Sequence, residues 1–222
     1  MNLIVHPPQW VRFFFKYFLW KMPLVEGRKL MYITIDDGPI PELTPFTLDT
    51  LGEFGAKATF FCVGENVQRY PEIYQRIIAE GHSVGNHTFN HLKASRCKID
   101  PYIENMHLAD SYINTTLFRP PHGMLRNKRQ SRMIAEEKTI VLWDVLSEDY
   151  NRRISPEDCW QNVKRNASDG SIIVFHDNIK AEPRQKYALR QTLEYYTAQG
   201  YEFVPIPDGV NNLWNISEKI IH

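Results

Sequence analysis

The sequence has few cysteines, no net charge and no long apolar run, and each absence excludes a class of protein. Its 222 residues include three cysteines, Cys62, Cys97 and Cys159, too few and too scattered for a disulfide framework or a thiolate zinc cluster. The 26 basic residues cancel the 26 acidic ones, which argues against nucleic-acid binding through a basic surface. No uninterrupted apolar run reaches the roughly 18 residues that a transmembrane helix needs.

The most apolar stretch is residues 10–20 (WVRFFFKYFLW), interrupted by Arg12 and Lys16. These two cations are four residues apart and would share one helical face, opposite a broad aromatic face. We therefore expect residues 1–29 to form a helical extension packed on the main domain, with association of residues 10–20 with a membrane surface as the alternative. A lysine inside the apolar block argues against a cleavable signal peptide. The predicted location is cytoplasmic or peripheral to a membrane.

From residue 30 onward, short apolar runs alternate with longer segments of helical periodicity. The predicted strands are 32–37, 58–64, 82–87, 118–121, 139–145, 171–177 and 202–206. The predicted helices are 44–54, 66–79, 101–116, 127–137, 156–167 and 183–199. This alternation predicts one α/β domain over 30–222. Its sheet would be parallel, and either open and doubly wound or closed as a barrel.

Polar residues follow the predicted strands at the edge where parallel α/β folds place their active sites. They are Asp36, Asp37, His87, His91, Arg119, His122, Asp144, Asp149 and His176. Their concentration at strand ends predicts a catalytic site at this edge of the sheet.

His87 and His91 are four residues apart, so one helical turn would direct both imidazoles at a common point, as metal ligation requires. Taken alone, such a pair is also typical of surface or capping histidines. A carboxylate from another strand end would complete a two-histidine, one-carboxylate site suited to zinc or another divalent transition metal. Asp36 and Asp37 are neighbours whose side chains point in different directions, although aspartates are also common in a turn before Gly38.

Five segments resemble, in order, the motifs of the polysaccharide deacetylase family, carbohydrate esterases that share a NodB-type domain. They are TIDDGP at 34–39, HTFNH at 87–91, RPPHG at 119–123, DY at 149–150 and VFH at 174–176. The resemblance covers about residues 30 to 207. It implies a distorted (β/α) barrel of about seven parallel strands.

The resemblance also implies roles for the polar residues. Asp37, His87 and His91 would hold one divalent metal ion, Zn²⁺ in the first instance, with Co²⁺ or another transition metal as alternatives. Asp36 would be the catalytic base, with Arg119 beside it.

Further roles concern the acid and the substrate pocket. His176 would be the catalytic acid, supported by Asp149. Thr88 would support the metal-binding loop, the backbone N–H of His122 would help to hold the oxyanion, and two residues would wall the acyl pocket. These two are Tyr150 and Val174.

The chain departs from the usual motifs at four positions, all at the rim or the acyl pocket. His122 stands where the family usually has Tyr, Leu146 where it has an acid, Tyr150 where it has Trp, and Val174 where it has Leu. These changes leave the catalytic set intact and put the substrate in question. The expected function is removal of N-acetyl groups from N-acetylated sugars in a glycan. The alternatives are an acetyl-xylan esterase, a deformylase of a lipid-linked sugar and a catalytically silent carbohydrate-binding relative.

Overall fold

A computed structural model describes residues 5–8 and 18–210 of the chain. Within these residues, nine strands and seven α-helices alternate along most of the chain. The strands are β1 (Phe18–Leu19), β2 (Leu30–Asp36), β3 (Thr59–Cys62), β4 (Ser83–Asn86), β5 (Leu117–Phe118), β6 (Thr139–Val141), β7 (Val145–Leu146), β8 (Ile172–His176) and β9 (Glu202–Phe203). The helices are α1 (Thr44–Glu53), α2 (Gly64–Arg69), α3 (Pro71–Ala79), α4 (Ile99–Asp110), α5 (Lys128–Glu137), α6 (Pro156–Asn166) and α7 (Glu182–Thr197).

The strands form one curled parallel sheet in the order β1-β6-β5-β4-β3-β2-β8-β7, with β9 paired to β2. All seven residues of β2 are buried because the strand is covered on both faces, as parallel sheets require. The architecture is a distorted (β/α) barrel of the NodB type, which confirms the predicted fold class. All seven predicted strands are present, one of them divided into β6 and β7, and β1 adds to them.

The helices also follow the prediction closely, with one break that the sequence explains. The predicted helix over 66–79 is two helices, α2 and α3, separated at Tyr70. Tyr70 has φ −129° and ψ 58° because the residue before a proline, here Pro71, is disfavoured in the α-helical conformation. Helix α6 begins at a reciprocal capping box formed by Ser155 and Asp158.

The predicted helix over residues 10–20 is wrong at its carboxyl end. Phe18 and Leu19 form β1, which lies parallel to β6 with Phe18 opposite Ile140. Aromatic and branched residues fit a strand as well as a helix, and the free edge of β6 decides between them. Residues 10–17 of that predicted helix lie outside the described residues, and Trp20 follows β1 outside any helix. In the part of the chain that the structure describes, no helix is both long and apolar enough to cross a bilayer.

The predicted strand over 139–145 is interrupted between β6 and β7. Here the buried Arg119 donates from Nε to the carbonyl oxygen of Val141 and from Nη2 to that of Leu142, at 3.1 and 2.9 Å. Between β6 and β7 the chain changes partners, since the N–H of Leu142 donates to the carbonyl oxygen of Leu19 next to β6 and the N–H of Asp144 donates to that of Ile172 in β8. Arg119 ties this end of β6 to the residues of the candidate site.

Candidate active site

Three groups capable of binding a metal ion converge at the carboxyl edge of the sheet. Asp37 directly follows β2, and His87 and His91 lie on the loop after β4. Asp37 Oδ1 is 3.1 Å from His91 Nε2 and 3.6 Å from His87 Nε2. One candidate ligand atom from each of the three residues lies within 4.8 Å of the other two. The structure therefore brings together the three residues that the sequence predicted as ligands.

The donor set fits a divalent cation. Asp37 Oδ1 is buried and has no hydrogen-bond partner, an arrangement that is costly unless another group neutralises it. Burial alone would raise the pKa of Asp37, but the hydrogen bond with His91 and the charge of His176 bring that pKa well below the usual aspartate value. The carboxylate is therefore ionised, as a metal ligand must be.

His87 is held in the tautomer that a ligand needs. Its Nδ1–H donates to the carbonyl oxygen of Arg119 at 2.7 Å, which leaves Nε2 with its lone pair towards Asp37. Burial lowers the pKa of His87 to about 4, an effect that Asp36 only partly offsets. The imidazole is therefore neutral near pH 7.

Asp36, the last residue of β2, forms a buried ion pair with Arg119. Arg119 is fully buried, and its Nη1 donates to Asp36 Oδ1 at 2.6 Å and to Thr34 Oγ1 at 2.7 Å. The guanidinium also lies 4.1 Å from the ring centroid of Phe61. A buried charge pair needs such complete hydrogen bonding to offset its desolvation. The arrangement fixes the Asp36 carboxylate next to the Asp37 cluster.

His176 and Asp149 form a second pair on the strand beside Asp36. His176 ends β8 and lies directly opposite Asp36 in the β2–β8 register. Its Nδ1–H donates to Asp149 Oδ1 at 2.7 Å, and its backbone N–H donates to Asp149 Oδ2 at 2.7 Å. Burial lowers the pKa of His176, but the charge and hydrogen bond of Asp149, with Asp37 and Asp36, raise it to about 9. His176 is therefore an imidazolium near pH 7.

The backbone around these groups is strained. Among the described residues, five non-glycine residues have positive φ, and all five lie in loops that carry residues of the site. They are Asp37 (φ 78°), Thr88 (64°), His91 (55°), His122 (61°) and Glu148 (61°). Such conformations cost free energy and persist where the surrounding structure enforces them, most often at functional sites.

The remaining predicted residues surround the cluster. Thr88 is buried and its Oγ1 accepts a hydrogen bond from the N–H of Leu92, which closes the loop that carries both histidines. Val174 lies two residues before His176 on β8 and so shares its face of the sheet. The ring of Tyr150 is edge-on to His176 with centroids 4.9 Å apart.

His122 brings its side chain to the cluster as well as its backbone. Its exposed ring lies edge-on to His91, with centroids 5.0 Å apart. Partial burial lowers the pKa of His122, and the positive charges of Lys93 and Arg96 lower it further. The family resemblance implied a role only for the backbone N–H of this residue. It did not predict the contact between the His122 imidazole and His91.

Asparagine side chains hydrogen-bond the backbone and the carboxylate around the Asp37–His87–His91 cluster, and the sequence did not predict them. Asn178 Nδ2 donates to Asp37 Oδ2 at 2.6 Å, and Asn66 Nδ2 donates to the backbone carbonyl of Asp37 at 2.8 Å. Asn86, just before His87, accepts a hydrogen bond from the N–H of Thr88 through Oδ1 at 2.8 Å. Asn86 and Asn178 each stand one or two residues from a motif histidine, which is the signal that could have identified them.

A curled parallel sheet with these side chains at its carboxyl edge defines the NodB-type class of distorted (β/α) barrels. Residues 25–140, just over half of the chain, match the family model described as polysaccharide deacetylase. The chain belongs to this family.

Similar proteins and solved structures agree with this family membership. The chain is 34% identical over 200 residues to a peptidoglycan-N-acetylglucosamine deacetylase of Bacillus cereus, covering 86% of this chain and 92% of that protein. It is 32% identical over 186 residues to the peptidoglycan-N-acetylmuramic acid deacetylase PdaC of Bacillus subtilis, covering 81% of this chain but only 38% of the relative. The crystal structure of the Bc1960 peptidoglycan N-acetylglucosamine deacetylase superimposes with a TM-score of 0.80 at 30% identity, covering 90% and 95% of the two chains.

Proposed function

We propose that the protein is a metal-dependent deacetylase that removes N-acetyl groups from N-acetylated sugars in a glycan. The observation that carries the proposal is the convergence of Asp37, His87 and His91 next to two further ionic pairs, Asp36 with Arg119 and His176 with Asp149. The names of the similar proteins, which act on peptidoglycan, support the same substrate class. Zn²⁺ is the proposed ion because imidazole and carboxylate are ligands that it accepts.

Asp37, His87 and His91 would hold the ion and leave positions open for water and for the amide carbonyl. When bound, a divalent cation supplies Lewis-acid polarisation of the carbonyl and a lowered pKa for water. Asp36 would take the proton of the attacking water on its carboxylate, and the ion pair with Arg119 keeps this carboxylate oriented. The backbone N–H of His122 would donate to the developing oxyanion.

His176 would donate a proton to the leaving amine. Its Nδ1 is engaged with Asp149, so Nε2 carries the proton that is available for transfer. The raised pKa, about 9, keeps the ring protonated near neutral pH. The ring of Tyr150 is edge-on to His176, and Val174 shares the face of β8 that carries His176, so these two residues would wall the acyl pocket.

Acetate release tests the proposal. Zinc-loaded protein is expected to release acetate from fully acetylated oligosaccharides of glucosamine or of peptidoglycan, and chelation is expected to abolish that release and added Zn²⁺ to restore it. Acetate from acetylated xylan alone would favour the esterase, and formate from an N-formylated lipid-linked sugar would favour the deformylase. Binding of the glycan without release of any acyl group would favour the catalytically silent relative.

Asn178→Ala is expected to weaken Zn²⁺ binding by about 10- to 100-fold, the usual effect of removing a group that orients a ligand. The amide engages Asp37 Oδ2, so Oδ1 is the oxygen left for the ion. Calorimetric titration of the metal-free protein measures the affinity. Asn66→Ala is the matched control. Asn66 also donates a hydrogen bond to Asp37, but to its backbone carbonyl oxygen and not to its carboxylate. Equal losses in both variants would indicate a general disturbance of the loop and contradict a specific role for Asn178.

A further inference from the structure

Asp177 is a buried carboxyl group next to the candidate site, and the proposed mechanism does not use it. It follows His176 at the end of β8 and precedes Asn178, whose amide donates to Asp37. The residue is 0% exposed. Since side chains alternate along a strand, the Asp177 side chain points away from that of His176. Burying a carboxyl group costs free energy, so its contacts need an explanation.

The main chain of Asp177 is joined to the strand that carries the proposed base. Its backbone N–H donates to the carbonyl oxygen of Asp36 at 2.8 Å. A β-carbon placed on Gly38 would lie 3.2 Å from Asp177 Cβ, which is closer than ordinary van der Waals contact. Asp177 therefore packs directly against the turn that follows Asp36. It contacts the end of β2 and is itself part of the segment that follows His176.

The side chain of Asp177 is hydrogen-bonded to a network that includes two helices. Thr47 on α1 is fully buried, and its Oγ1 donates to Asp177 Oδ1 at 2.8 Å. Gln185, in the first turn of α7, is also fully buried, and its Nε2 donates to the same Thr47 oxygen at 2.9 Å. Hydrogen bonds in a low-dielectric interior are stronger than in water. The network therefore ties the end of β8 to α1 and α7.

We propose that Asp177 is a positioning residue, which holds the ends of β2 and β8 in the register that presents Asp36 and His176 to one substrate. The proposal rests on the proposed function. Asp177 acts through the spacing of the base and the acid, because its side chain faces the helices and not the site. A displacement of about 1 Å in a catalytic group can cost about 100-fold in rate. Loss of this contact is therefore expected to lower kcat and to leave KM little changed.

Asparagine is the conservative replacement at this position. Burial raises the pKa of Asp177 to about 7, although the hydroxyl groups of Thr44 and Thr47 act to lower it. An amide of the same shape can accept the hydrogen bond from Thr47, whereas alanine cannot. Asp177→Asn is therefore expected to retain most of the wild-type kcat, and Asp177→Ala is expected to lose about 10- to 100-fold.

Two threonines on α1 offer variants of nearly equal shape that leave Asp177 itself unchanged. Thr47→Val removes the hydroxyl that donates to Asp177 and is expected to lower kcat about 10-fold, with Zn²⁺ affinity and KM close to those of the wild type. Thr50→Val is the matched control, because Thr50 is buried on the same helix and its Oγ1 has no hydrogen-bond partner among the described residues. Acetate release from acetylated glucosamine oligomers by the zinc-loaded protein measures kcat and KM, and circular dichroism checks the fold.

A second readout does not depend on turnover. Burial lowers the pKa of His176, but the charge and hydrogen bond of Asp149 raise it to about 9. In Asp177→Ala the end of β8 is no longer held, so the contact between His176 and Asp149 loosens and the pKa is expected to fall by about one unit towards the ordinary histidine value. Asp177→Asn is expected to keep the wild-type value. NMR titration of the His176 imidazole in the metal-free protein measures this pKa.

The outcomes separate the two proposals. A wild-type kcat in Thr47→Val, or an unchanged pKa of His176 in Asp177→Ala, would overturn the positioning role. Equal losses of kcat in Asp177→Asn and Asp177→Ala would also overturn it, since they would assign the effect to the charge of the carboxyl group. Failure of the wild type to release acetate from any oligomer, with the pKa of His176 lowered in Asp177→Ala alone, would contradict the deacetylase function and leave the positioning role standing.

Discussion

Asp36→Asn is expected to lower kcat for acetate release by about 10³- to 10⁴-fold while Zn²⁺ affinity stays close to that of the wild type. An amide cannot accept the proton of the attacking water, but its oxygen can still accept the hydrogen bond from Arg119 Nη1 that now goes to Asp36. Steady-state assays of acetate release and calorimetric metal titration, made on the same preparation, measure the two quantities.

The neighbouring aspartate provides the control. Asp37→Asn is expected to lose metal affinity together with activity, because Asp37 Oδ1 faces the two histidines. Asp36→Asn would then lose turnover alone, whereas Asp37→Asn would lose both turnover and metal affinity. General damage to the loop would not separate these two effects. An Asp36→Asn protein with normal turnover, or one that loses metal as Asp37→Asn does, would contradict the role of Asp36 as the base.

His91→Ala is expected to weaken Zn²⁺ binding by at least about 100-fold, since it removes one of the three proposed ligands, a larger loss than that of a group outside the ligand set. The His91 side chain is 35% exposed, so its removal is expected to leave the fold intact. Calorimetric titration of the metal-free protein measures the loss, and circular dichroism checks the fold.

The matched control for His91→Ala is His107→Ala. His107 is an exposed histidine on α4 whose Nε2 contacts Glu137 and which lies outside the metal-type cluster. We expect its removal to leave Zn²⁺ affinity unchanged. Unaltered Zn²⁺ affinity in His91→Ala would remove this residue from the ligand set.

The sheet was predictable from sequence because its strands are short buried runs bounded by helices of clear periodicity. The errors occur where a long-range contact overrides the local pattern. Phe18 and Leu19 are a strand because the edge of β6 is open to them. The strand predicted over 139–145 is divided because the chain changes its pairing partner from β1 to β8 between β6 and β7. Neither contact can be read from the local sequence of these segments.

The candidate site was predictable to a different extent for different residues. Asp37, His87 and His91 were identified because their spacing and their motifs restrict them to one edge of the sheet, and the structure places them together. Asn178 and the side chain of His122 were missed, since their contacts depend on how separate loops fold towards one another.

The central claim is that Asp37, His87 and His91 hold one divalent cation, and anomalous X-ray diffraction from crystals soaked in Zn²⁺ tests it most directly. The account predicts a single strong peak at the zinc absorption edge about 2.0 to 2.2 Å from a carboxylate oxygen of Asp37 and from Nε2 of both histidines. A fully soaked crystal with no peak among these three side chains, or with its only ordered zinc elsewhere, would contradict the account.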